Sequence, residues 1–139
     1  MNKACMITII LSTVIYSAFA YADDQNTSDD AYSQCVDQTI EKWELGGINN
    51  AVVESCSNQT KAIYEKQIVK LLDQIKQQSI KYQQSERYKD IMKSQQLWKS
   101  YVDQECSNAG AYIGSPMYGF CPMIEYGKRV EQLQEYAGN

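Results

Sequence analysis

The sequence predicts a small all-α protein, a disulfide-stapled helical bundle of one short N-terminal helix and three longer helices, with an irregular loop between the last two. Three observations support this fold class. Apolar residues recur at spacings of three and four along most of the chain. No segment shows the apolar–polar alternation of a half-buried strand. Cysteines in even number follow an N-terminal export signal, as in small exported domains held by disulfides.

The export signal occupies residues 1–22. Lys3 gives a positive start, an apolar run extends from Met6 to Ile15, and Ala20-Tyr21-Ala22 forms a small-x-small cleavage site. The apolar run is short for a bilayer span. We therefore expect cleavage after Ala22, a periplasmic or secreted protein, and no membrane span in the mature form.

The mature chain is acidic and is predicted to contain one domain. Loss of Lys3 with the signal peptide changes the formal net charge from -4 to -5. Residues 23–30 are polar and acidic without apolar periodicity, which predicts a disordered leader, and residues 31–139 form the single domain. The acidic balance excludes nucleic acid as a partner and favours a basic protein.

Apolar spacing predicts the helices at residues 31–45, 51–83, 86–106 and 122–137. Gly46-Gly47 ends the first helix, and Asn49 or Asn50 caps the second. Residues 83–85 form only a weak break, so one bent helix in place of the second and third is an alternative. Pro122 is expected to open the last helix, because a missing N–H has no consequence there.

The segment 107–120 is predicted to be an irregular loop, because its three glycines and Pro116 are poorly tolerated in a helix. Its apolar side chains either fold back over the open end of the bundle or remain exposed as a preorganised recognition surface. In the second interpretation, the candidate partner-binding residues are Tyr112, Ile113, Ser115, Met117 and Tyr118.

The mature chain keeps four cysteines: Cys35, Cys56, Cys106 and Cys121. Three pairings are possible, and we favour the two local ones, Cys35–Cys56 and Cys106–Cys121. The first would join the short helix to the start of the long helix, and the second would close the predicted loop. Closing a loop of about 15 residues stabilises a fold by about 3 kcal/mol in the chain-entropy model.

The sequence gives no support for an enzyme or a cofactor. It contains no histidine, so the commonest general base and the commonest metal ligand are both missing. The cysteines are too far apart for a CxxC metal site. Glu54, Glu65, Asp103 and Glu105 could form a catalytic carboxylate pair, but we interpret them as solvated charges on helix faces.

A spaced motif runs through the second half of the chain. It consists of Gln95, Trp98, Tyr101, Asp103, Glu105, Cys106, Gly114-Ser115, Cys121, Arg129 and Leu133. With this motif, most of the mature chain resembles the LprI-type lysozyme-inhibitor domain family of bacterial envelope proteins, although Val102 stands where that family often has Arg. The resemblance implies an α-helical, disulfide-bonded periplasmic protein. Its structural core motif would be Gln95, Trp98, Tyr101, Arg129 and Leu133.

Three functional hypotheses follow. The first is an inhibitor of a basic peptidoglycan hydrolase such as lysozyme, with residues 112–120 inserted into the enzyme's cleft. The second is an immunity protein against a cell-wall toxin delivered by a competing bacterium. The third is a structural or interaction module of the bacterial envelope. The sequence leaves the oligomeric state open.

Overall fold

The computed structural model describes residues 27–138, with side chains described from residue 31 onward. The chain forms four helices in the order α1 (Thr27–Lys42), α2 (Asn50–Lys81), α3 (Ser85–Tyr112) and α4 (Met117–Ala137). The described residues form no strand. The protein is therefore a small all-α bundle, with one short and three longer helices as the apolar periodicity predicted.

The N-terminal boundary differs from the prediction. Helix α1 begins at Thr27, so residues 27–30 belong to a helix and not to a disordered leader. The remainder of the predicted leader, residues 23–26, and the predicted signal peptide lie outside the described residues.

The two longest helices are separate, with a sharp turn between them. The side chain of Asn49 caps α2 by accepting a hydrogen bond from the Val52 backbone N–H at 3.0 Å. At the other end of α2, Gln83 adopts a left-handed conformation with φ of 56°, which reverses the chain before α3 begins. The alternative of one bent helix is therefore wrong.

The predicted loop at residues 107–120 is also wrong in extent. Helix α3 continues to Tyr112 and α4 begins at Met117, so the connection spans only residues 113–116. Pro122 lies inside α4 and does not open it. Gly110 and Gly119 lie within the helices, each at a point where a neighbouring element comes close to the glycine backbone.

The core lies mainly between α2 and α4, which form the most extensive helix pair, and α3 covers one side of it. Ile75 of α2 and Leu133 of α4 are completely buried, and Val102 of α3 is nearly so. Helix α1 packs mainly on α2, to which the Cys35–Cys56 disulfide joins it. The Cys106–Cys121 disulfide joins α3 to α4. Both bonds are those that the local-pairing prediction favoured.

Candidate functional site

The candidate partner-binding residues lie at one end of the bundle, around the α3–α4 turn. Tyr112, Ile113 and Tyr118 expose 86%, 75% and 56% of their surface. Ser115 is also exposed, and Met117 is half-buried. The interpretation in which these apolar side chains fold back over the bundle is therefore wrong for Tyr112 and Ile113.

A second connection lies beside this turn. The Asn50 side chain at the start of α2 donates a hydrogen bond to the Ser115 hydroxyl at 3.4 Å. The α1–α2 connection therefore reaches the same end of the bundle, where Trp43 is 46% and Ile48 57% exposed. We call residues 43–49 and 112–118 together the tip. Trp43 and Ile48 belong to no sequence motif, so neither was predicted as a binding residue.

Covalent bonds hold the helices just behind the tip. Cys56 is six residues into α2 from Asn50, and Cys106 is six residues before the end of α3 at Tyr112. At a rise of about 1.5 Å per residue, each disulfide lies roughly 9 Å from the tip. Phe120 of α4 adds an edge-on ring contact with Tyr32 of α1, at 5.7 Å between centroids. The exposed side chains of the tip therefore project from a braced backbone.

Tyr118 is positioned by a glycine. Gly110 in α3 is buried, and a β-carbon built on it would lie 2.2 Å from Cδ1 and 2.5 Å from Cγ of the Tyr118 ring. The ring therefore rests directly on the helix backbone. Its place at the tip depends on the absence of a side chain at position 110.

We expect the effect of Gly110→Ala to change sign with the residue at position 118. In the wild-type background the new methyl group displaces the Tyr118 ring, so the free energy of unfolding falls by about 1 kcal/mol. In a Tyr118→Ala background the same change raises it by about 1 kcal/mol, because alanine favours a helix over glycine. Urea unfolding of the four proteins in a double-mutant cycle measures this coupling. Equal effects in both backgrounds would contradict the proposed contact.

Charge is strongly segregated between the two ends of the bundle. In residues 31–60 and 100–127, the half nearest the tip, Lys42 is the only basic residue among seven carboxylates, for a net charge of -6. Residues 61–99 and 128–138 together carry a net charge of +5. The boundary is marked by two exposed ion pairs, Lys99–Asp103 and Lys128–Glu125. A hydrogen bond to the partner carboxylate raises the pKa of each of these lysines.

Two of the five residues of the structural core motif are buried, and Gln95 and Trp98 are half-buried. Leu133 is fully buried and Arg129 is 4% exposed. The Arg129 guanidinium donates to the Gln95 side chain at 2.7 Å and lies over the Trp98 ring at 5.6 Å. Burial lowers the pKa of Arg129. Tyr101 was wrongly assigned to the core, since it is 55% exposed.

No hydrogen bond joins any two of the four carboxylates considered for acid–base chemistry. Glu65 pairs with Lys61 at 2.8 Å, and Asp103 pairs with Lys99. Glu54 and Glu105 are exposed. Within residues 27–138, no cluster of acidic or cysteine side chains could hold a metal ion, and no helix is long and apolar enough to cross a membrane.

Comparison with protein-family models, curated proteins and solved structures finds no match to this chain. Its class is therefore defined by its own geometry. The chain is a small, disulfide-linked all-α bundle with an aromatic-rich tip at the end of its acidic half.

Proposed function

We propose that this chain is an exported, non-enzymatic binding protein of the LprI type, which blocks lysozyme or another basic peptidoglycan hydrolase with its tip. The observation that carries the proposal is the exposure of Tyr112, Ile113 and Tyr118 on a short turn in the acidic half of the molecule. Export to the periplasm is proposed from the signal-peptide pattern of residues 1–22 and agrees with two disulfides.

The composition of the tip suits a protein interface. Aromatic residues are enriched among the residues that carry most of the binding energy, and such residues are typically central in the interface. The tip presents Trp43 and two tyrosines on adjoining connections. The helices behind it are joined by two disulfides, so little ordering entropy would be lost on binding.

The charge of the half of the bundle nearest the tip suits a basic partner. A net charge of -6 in the nearest half of the bundle attracts a positively charged protein and orients the approach, because the opposite half carries +5. Steering of this kind raises the association rate and is screened by salt. We therefore expect the association rate with a basic hydrolase to fall steeply as ionic strength rises.

A non-enzymatic role agrees with the side chains available. The sequence has no histidine, and the exposed carboxylates of the tip half are not paired with one another. The apolar residues of the tip form a projecting surface, which suits insertion into a partner's cleft better than enclosure of a small substrate.

The oxidised protein is expected to slow cell-wall clearing by lysozyme, and Tyr112→Ala and Ile113→Ala are each expected to weaken inhibition about tenfold through loss of buried contact area. Leu97→Ala is the matched control, because Leu97 is 65% exposed on α3 but lies four helical turns from the tip. Turbidity assays give the inhibition constant, and surface plasmon resonance gives the rates.

Two results would contradict the proposal. One is an unchanged clearing rate at a large excess of the protein over both lysozyme and a periplasmic peptidoglycan hydrolase. The other is inhibition that Leu97→Ala weakens as much as the tip variants do.

A further inference from the structure

The end of the bundle opposite the tip contains a pocket that the proposed function does not use. It lies between the last turns of α2 and the first turns of α3, where these two helices diverge. Its volume is about 480 Å³, within the range of small-molecule sites. The walls are largely apolar, formed by Ile80, Tyr88 and the stems of two lysines. We call it the α2–α3 pocket.

Ser79, one of the residues that line this pocket, has a buried hydroxyl without a hydrogen-bond partner in the described part of the chain. Ser79 is 2% exposed, and its Oγ makes no hydrogen bond with a described residue. A buried polar group without a partner is costly, so such groups often mark a site where a ligand or water supplies the missing bond. The adjoining Gln83 holds a left-handed conformation that non-glycine residues rarely adopt.

The rim of the pocket is positively charged. Lys76 lines it and makes no ion pair with a described residue, and Lys89 lines it while paired with Glu86 at 2.7 Å. Ser85 begins α3 at the rim, and no side chain caps the first N–H groups of that helix. The uncapped start of the helix and the positive end of its dipole favour an anion there.

We propose that the α2–α3 pocket binds a single-chain anionic amphiphile, with its acyl chain along Ile80 and Tyr88 and its carboxylate or phosphate head at Lys76 and the start of α3. The apolar walls need a hydrocarbon partner, and the free lysine and helix N-terminus need an anion. A fatty acid and a single-chain phospholipid share this chemistry. The inference is independent of hydrolase inhibition, because the pocket and the tip lie at opposite ends of the molecule.

Calorimetric titration of the full oxidised protein tests the proposal, with every amphiphile kept below its aggregation concentration. The ligands are dodecanoate and dodecyl phosphate, with dodecyltrimethylammonium as the cationic control and butyrate as the short-chain control. We expect one site per chain for at least one of the anions, and binding of both controls at least about tenfold weaker. Tighter binding of dodecyl phosphate indicates a phospholipid source, and tighter binding of dodecanoate indicates a fatty acid; either supports the proposal.

Surface variants locate the site without disturbing the core. Lys76→Gln and Ile80→Glu are each expected to weaken the binding of the anion about tenfold or more. Glu86→Gln should strengthen it, because the carboxylate next to the helix N-terminus is removed. Lys70→Gln and Val69→Glu, at exposed positions of α2 outside the pocket, serve as matched controls and should leave affinity unchanged.

Three outcomes would overturn the proposal. The first is the absence of binding by either anionic amphiphile. The second is equal affinity for dodecyltrimethylammonium, which would indicate simple hydrophobic adsorption. The third is unaltered affinity in both Lys76→Gln and Ile80→Glu, with circular dichroism showing that both variants are folded.

Discussion

Removing either disulfide is expected to lower the free energy of unfolding by about 3 kcal/mol. The two bonds close loops with sequence separations of 21 for Cys35–Cys56 and 15 for Cys106–Cys121, so the chain-entropy model gives them similar contributions. The variants are the paired substitutions to alanine, one pair at a time. Urea unfolding of the oxidised proteins, followed by far-ultraviolet circular dichroism, measures the loss.

Reductant provides the control for this experiment. Dithiothreitol breaks both bonds, so it should lower the free energy of unfolding of the wild-type protein by more than either paired substitution does. It should have no effect on a variant that lacks all four cysteines. A paired variant as stable as the wild type would mean that non-covalent packing alone fixes those helices. Loss of the Cys106–Cys121 bond should also weaken binding at the tip, because α3 and α4 are no longer held together just behind it.

The helical bundle and its disulfides could be predicted because both depend on local patterns. The apolar stripe of α2 continues for the whole of its length, from Val52 to Ile75, and no alternative secondary structure fits that spacing. Local pairing of cysteines was favoured because the crossed pairings would require the N-terminal helix to lie over the predicted loop. Both predictions were confirmed.

The helix boundaries near the tip could not be predicted, because tertiary packing overrides propensity there. Gly110 and Gly119 indicated a loop, whereas in the structure they let Tyr118 and the backbone of Glu54 approach closely. An isolated glycine in a helical pattern can mark the end of the helix or a close approach of another element. Only the structure of the neighbouring element distinguishes the two. Pro122 was likewise taken for a first-turn residue, although α4 begins five residues earlier at Met117.

The extent of the tip depends on a contact between residues far apart in sequence. The hydrogen bond from Asn50 to Ser115 joins positions 65 residues apart, and no local pattern in either segment indicates it. Trp43 and Ile48 therefore could not be assigned to a surface together with Tyr112. The exposure of Tyr101 could not be predicted for a related reason. Side chains point in all directions around a helix axis, and tyrosine is common both in cores and at surfaces.

Arg129 is unusual because it is a buried cation bonded only to neutral groups. Its guanidinium donates to the Gln95 side chain at 2.7 Å, the Ser94 hydroxyl at 3.0 Å and the Gln132 side chain at 3.1 Å. No described carboxylate lies within ion-pair distance of it. Two of these acceptors belong to α3, so the network holds α3 against α4 on the side where helix contact is less extensive than between α2 and α4.

Arg129→Ala is therefore expected to lower the free energy of unfolding by about 4 kcal/mol. The substitution removes three charge-assisted hydrogen bonds and the packing of the arginine against Trp98, and it leaves the half-buried Gln95 amide without this donor. Gln95→Ala removes one acceptor and should cost about 2 kcal/mol. Lys128→Ala, an exposed neighbour in an ion pair with Glu125, should change stability by less than about 1 kcal/mol. Urea unfolding compares the three variants. An Arg129→Ala protein as stable as Lys128→Ala would show that packing between α3 and α4, without the polar network, holds these helices together.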